Sequence, residues 1–152
     1  MVPDWMLDFR YKLKCNDNVF DGVYIEYTLE HLTPGEVFEL LKETFRIMKP
    51  GAQLRIVVPD IKKYVRFYMG ENVDEKFSTT FDSGIEGLRN VTQNYLHCSV
   101  WDFQLMAELL KNIGFENICE VQFDKGSNRE IIKDSIDRKW ESLYVECQKS
   151  LD

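Results

Sequence analysis

Residues 20–60, FDGVYIEYTLEHLTPGEVFELLKETFRIMKPGAQLRIVVPD, constrain the fold more than any other stretch of this chain. They read as strand, helix, strand. Phe20, Val23, Tyr24 and Ile25 make residues 20–27 a nearly all-apolar run, the pattern of a strand buried on both faces. Thr33-Pro34-Gly35-Glu36 then combines a capping box with proline at the first helical position, where its missing N–H costs nothing. Val37, Leu40, Leu41, Thr44, Phe45 and Met48 follow at spacings of three and four, giving one apolar helix face. Lys49-Pro50-Gly51 is expected to stop that helix, because proline cannot continue the ladder and glycine permits a turn. Leu54, Ile56, Val57 and Val58 predict a second buried strand, closed by Pro59-Asp60. Two parallel strands joined by a packed helix make a right-handed βαβ unit.

Composition narrows the class. The 152 residues fit a single domain, 1–152, long enough to bury a core. A net charge of −7 argues against a nucleic-acid backbone as partner, which calls for a basic surface. Lys62, Lys63 and Arg66 read as one solvated helix face. Cys15, Cys98, Cys119 and Cys147 stand far apart with no C-x-x-C pair, so reduced thiols are expected rather than a zinc site or disulfides. No apolar run approaches the ~20 residues of a membrane span, and a cytoplasmic location is expected.

Along the chain, residues 5–9 suggest a short strand and residues 14–18 a polar turn. Asp60 is placed to cap a short helix whose apolar face is Ile61, Tyr64, Val65 and Tyr68. Residues 71–95 have weak periodicity, with one small helix expected over 85–92. They read either as a lid or binding segment or as a surface excursion packed on its own aromatics. Helical spacing returns over 101–112 through Leu105, Leu109, Leu110 and Ile113, with Gly114 as the stop. Residues 117–123 alternate as a strand, 130–136 suggest a short helix, and 142–147 form the last strand.

Taken together, FDGVYIEYTLEHL, FRIMKPGAQLRIVVPD and HCSVWDFQLMAELLKNIGFENI resemble the second half of a class I S-adenosylmethionine-dependent methyltransferase. The resemblance runs from about Asp8 onward and weakens over 71–95. It implies an α/β three-layer, Rossmann-like fold, truncated at its N-terminus, with a mixed sheet of four or five strands whose last strand is antiparallel. Its cofactor would be S-adenosylmethionine, and its acceptor a small molecule or sugar-type compound. Family members carry a glycine-rich loop after the first strand, where backbone must approach the cofactor closely. No G-x-G occurs in this chain, which is therefore expected not to act alone.

Carried over by position, the resemblance places Asp8 near the adenine amino group and Phe9 beside it. Glu26 and Tyr27 would flank the sulfonium and the acceptor at a strand end, where open α/β sheets bind ligands. Asp8 reads equally as a turn cap, and Tyr27 as a strand-end aromatic. His31 and His97 are the only histidines, and a general base for the acceptor is the role implied for them. The alternative for His31 is a helix-capping or packing role near Thr33. Some relatives bind a divalent metal through E-x-x-E-H. Here Tyr27 holds the first glutamate's position and Glu26 lies one residue too far, so no metal site is expected.

In the family sheet the strand at Phe20 lies beside the absent first strand. Its free edge is a template for another chain and is expected to be covered, either by residues 5–9 folding back or by a second copy in a homodimer. The alternative to a methyltransferase-related function is a non-catalytic module that keeps the scaffold for binding or self-association.

Overall fold

The computed structural model describes residues 8–151. Residues 5–7 of the expected first strand lie outside the described residues, and Asp8 and Phe9 are in irregular backbone. Four strands form one sheet in the order β1-β2-β4-β3, with β1 at Phe20–Glu26, β2 at Met48–Pro59, β3 at Phe115–Val121 and β4 at Ser142–Lys149. The pair β1–β2 is parallel, and β4 runs antiparallel to both β2 and β3. The mixed α/β sheet with an antiparallel last strand is therefore as expected. Five helices accompany it among the described residues: α1 Pro34–Ile47, α2 Ile61–Tyr68, α3 Lys76–Thr80, α4 Gly84–Gln93 and α5 Phe103–Ile113.

The βαβ unit forms for the reasons its sequence supplies. Both halves of the capping box are made: Glu36 N–H donates to the Thr33 hydroxyl, and Thr33 N–H donates to the Glu36 carboxylate at 2.9 Å. Val37, Leu40, Leu41 and Thr44 are buried on one face of α1. The expected stop at Lys49-Pro50-Gly51 is displaced. The helix ends at Ile47, and β2 begins at the next residue with those three residues inside it. Gly51 adopts φ +79, and the register slips between Phe20↔Met48 and Gly22↔Gln53. A bulge of this kind absorbs a proline that cannot donate to a ladder.

Alternation along the strands sorts the sheet into two faces. Leu54, Ile56, Val58, Leu143, Val145 and Cys147 meet Leu41, Met106 and Leu110 of α1 and α5 in the main core. On the other face, Arg55 and Glu146 lie side by side in register and face residues 122–135, which fold over them. A 3-10 turn at Arg129–Ile131 within this segment, and another at Ile136–Arg138 just after it, stand in place of the expected helix. β1 departs from its reading as a strand buried on both faces. Its residues are partly exposed because it is an edge strand, hydrogen-bonded only to β2 among the described residues.

A second cluster stands beyond the ends of β2 and β4. Tyr64, Phe77, Phe81 and Val91 are buried there, with Phe67 and Trp140 against them. The 71–95 excursion forms two helices rather than one, and its Phe77 and Phe81 pack against Tyr64 and Phe67 of α2 and against Trp140. Val65 and Tyr68, expected on the buried face of α2, are exposed instead, since Tyr64 and Phe67 take the inward side. In α5, Asp102 caps the first turn and Gly114 closes the last at φ +115, a conformation glycine adopts without a Cβ penalty.

Candidate functional site

The carboxyl end of β1 is where the chain becomes irregular. Tyr27 takes a left-handed φ of +47 while its N–H still donates to Val57 O at 2.9 Å, so the strand ends in a sharp corner. A 3-10 turn, Leu29–His31, follows directly. The carbonyl of Glu30 accepts from Cys98 N–H at 2.7 Å and from Ser99 N–H at 3.2 Å, tying a distant segment to the corner. That tie brings His97 to His31, with ring centroids 4.9 Å apart in an edge-on arrangement.

His97 Nδ1 lies 2.8 Å from the carbonyl of Val91. A carbonyl only accepts, so Nδ1 carries the proton and the neutral ring leaves its lone pair on Nε2. Glu30 is 1% exposed, and neither carboxylate oxygen has a hydrogen-bond partner. Burial pushes its carboxyl up to about 7. Its nearest basic neighbour is His31 Nε2, at 3.9 Å.

Across the corner stands a satisfied polar network. Glu141, buried at the start of β4, accepts from the Tyr64 hydroxyl and from Arg138 Nη1 at 2.9 Å. The Arg138 guanidinium lies over the Tyr27 ring at 5.0 Å. Ser142 uses its one hydroxyl proton on Arg138 O at 2.6 Å, so the Tyr27 hydroxyl is the donor in its 2.7 Å bond to Ser142 Oγ. Burial, with the charge of Glu141, raises the Tyr27 and Tyr64 hydroxyls well above the ordinary phenol range. Both rings therefore serve as neutral donors.

Along β1, among the described residues, runs an apolar groove of about 380 Å³, lined by Phe9, Leu13, Val23, Ile25, Glu26 and Leu40 among others. The sequence-derived residues divide between these places. Phe9 and Glu26 line the groove, with Glu26 also accepting from Ser135 N–H at 3.1 Å. Asp8 is held by Arg10 at 2.9 and 2.6 Å, which keeps its carboxyl down at about 2. Tyr27 turns away to Ser142, and His31 and His97 meet beside Glu30. The residues that suit a cation are Glu30, His31 and His97, whose ligand atoms lie within 4.8 Å of one another. Sequence reasoning missed Glu141, Arg138 and Tyr64, which only the fold brings together. A glutamate just before the apolar run Leu143-Tyr144-Val145 was the available signal for Glu141.

Residues 7–56 match a family model described as a methyltransferase domain. No curated protein matches the chain at a significant level. Several solved structures share its fold. A SAM dependent methyltransferase from Archaeoglobus fulgidus is 17% identical with a TM-score of 0.56, over 93% of this chain and 64% of that one. One from Methanosarcina mazei is 19% identical with a TM-score of 0.57, over 96% and 66% respectively. An O-methyltransferase family protein from Burkholderia thailandensis is 15% identical with a TM-score of 0.56, over 96% of this chain and 35% of that one. The chain thus spans less than two thirds of the length of these proteins.

Proposed function

Because the chain is a relative of the class I S-adenosylmethionine-dependent methyltransferases, in segment 7–56 and in fold, we propose that it takes part in methyl transfer from that cofactor. The acceptor is a small molecule or sugar-type compound bound at the corner after β1. The observation that carries this reading is the meeting of His31 and His97 just after the carboxyl end of a parallel strand that itself lines an apolar groove.

S-adenosylmethionine, when bound, supplies an electrophilic methyl group on a sulfonium. The chain's own residues hold the acceptor and manage its proton. His97 presents Nε2 as a base because Val91 fixes Nδ1 as the donor, and His31 beside it shares that task. Phe9 and Glu26 face the cofactor side of the groove. Alignment of nucleophile, methyl carbon and leaving sulfur is the larger requirement. The corner at Tyr27, braced by Val57, Ser142 and Arg138, supplies that rigidity.

The chain does not complete the pocket by itself. Its eight glycines all stand apart, so none forms a G-x-G turn, and among the described residues β1, at the sheet's edge, pairs only with β2. A second copy pairs along that edge and makes one continuous sheet. The protein works in a reducing, cytoplasmic setting, in keeping with its four free cysteines. Among the described residues no helix is long and apolar enough to cross a membrane. The second reading, a binding module without catalysis, is favoured by one observation: the Asp8 carboxylate is already engaged by Arg10.

Calorimetric titration with S-adenosylhomocysteine, beside sedimentation analysis, tests both. A micromolar dissociation constant and a dimer mass are expected. At a hundredfold excess of ligand over that constant the chain gains about 2.7 kcal/mol and melts higher. Silence at millimolar ligand removes the methyl-transfer reading and leaves the binding module.

A further inference from the structure

We propose that Glu30, His31 and His97 hold a first-row divalent transition cation. The inference goes beyond methyl transfer and stands without it; with the ion bound, His97 Nε2 is a ligand rather than a base, because one lone pair cannot serve both. Two imidazoles and one carboxylate make a donor set suited to Mn²⁺, Fe²⁺, Co²⁺ or Zn²⁺ rather than to Ca²⁺ or Mg²⁺, which prefer all-oxygen ligands. Three donors leave further positions open to water or to an oxygen of a bound compound.

Three independent observations converge on the site. Glu30 is buried with both carboxylate oxygens lacking a hydrogen-bond partner. Burying such a group without compensation is costly, and a cation is the compensation this pocket has room for. His97 is oriented as a ligand: its Nδ1–H is fixed on the Val91 carbonyl and its Nε2 lone pair is free. Metal-bound histidines carry this same outer hydrogen bond. The backbone that delivers His97 is strained, with Tyr95 at φ +57 and Leu96 at φ +62 in succession, neither of them glycine. Consecutive left-handed residues persist where surrounding contacts hold them, and such strain gathers at ligand sites.

Geometry permits closure. Ligand atoms on a tetrahedral ion at about 2.1 Å stand about 3.4 Å apart. The three here lie within 4.8 Å, so side-chain rotations of about 1 Å bring them onto a common centre. The His31 side chain is 41% exposed and gives the ion a way in. Glu26 and Tyr27 take no part, so the ligand set unites one turn with a distant histidine. Spacing within residues 26–31 could not reveal that combination.

Co²⁺ titration of the full, chelator-treated chain tests the site by visible absorption, beside a thermal-shift scan. Saturable ligand-field bands with no sulfur-to-metal charge transfer are expected, together with a raised melting temperature. Glu30→Gln and His97→Gln each weaken Co²⁺ by roughly a hundredfold or more, since even outer-shell changes cost 10–100-fold. His97 is partly exposed, so His97→Gln decides the matter if Glu30→Gln fails to fold. Cys98→Ser, one residue away, leaves binding unchanged. The proposal falls if no bands form at millimolar Co²⁺. It falls equally if His97→Gln binds as the parent does, or if a charge-transfer band appears and is lost in Cys98→Ser.

Discussion

Arg55→Leu lowers the stability of this chain by about 3–5 kcal/mol, the cost of breaking a buried ion pair from one side. The Arg55 side chain is fully buried inside β2, and Asp134 is 1% exposed. Its guanidinium donates to Asp134 Oδ1 at 2.7 Å and Oδ2 at 2.5 Å, to Glu146 Oε1 at 2.7 Å and to Lys125 O at 2.9 Å. Without it, two carboxylates stay buried with only peripheral donors, Asp124 N–H for one and Ser127 for the other. The planar fork explains why Arg55→Lys does not restore the loss: a point charge cannot satisfy both carboxylates in this geometry.

The same substitution loosens residues 122–135, because Arg55 is what pins that segment to the sheet. Gly126 belongs to this arrangement. A Cβ there would stand 2.0 Å from Glu146 Oε1, so Gly126→Ala pushes the carboxylate off its partners. Denaturation midpoints and amide exchange across 122–135 read both effects. A triple replacement of Arg55, Asp134 and Glu146 by apolar residues recovers much of the loss, as buried ion pairs often permit.

Phe77→Ala costs about 3–5 kcal/mol, the usual range for removing a buried phenylalanine. Phe77 is fully buried, with ring centroids 5.0 Å from Tyr64 and 4.7 Å from Trp140, both edge-on. It anchors the 71–95 excursion to the segment that carries Arg138 and Glu141. The effect is therefore regional: amide exchange rises across α3 and α4 while the β2–β4 ladder keeps its protection. Uniform loss of protection over the whole chain would show that the two clusters fold as one unit.

Local chemistry made much of this molecule legible. The capping box at Thr33, the apolar stripe of α1, the Asp60 cap and the Gly114 stop are each decided within a few residues, and each was readable. Periodicity did not separate edge from centre; the expected free edge at Phe20 came from the family resemblance instead. An apolar run such as residues 20–27 looks the same whether one or two strands flank it, yet β1 is partly exposed along its length. The identity of the buried strand's polar partner was hidden as well. Arg55 interrupts an apolar run, and nothing nearby says that Asp134, 79 positions on, will receive it.

The functional residues divide along the same line. His31 and His97 stood out as the only histidines, and their placement in motifs suggested a shared sheet end. That they touch, and that Glu30 sits unpartnered between them and the core, follows from the Glu30 carbonyl holding Cys98 and Ser99. By itself the sequence determined the parallel βαβ unit, the short helix after Asp60, the helix ending at Gly114 and the last strand, because these rest on periodicity, caps and breakers within one segment. Only the tertiary structure decided which charges are buried together and which side chains share the corner after β1. Those outcomes depend on contacts between segments tens of residues apart, which no local spacing encodes.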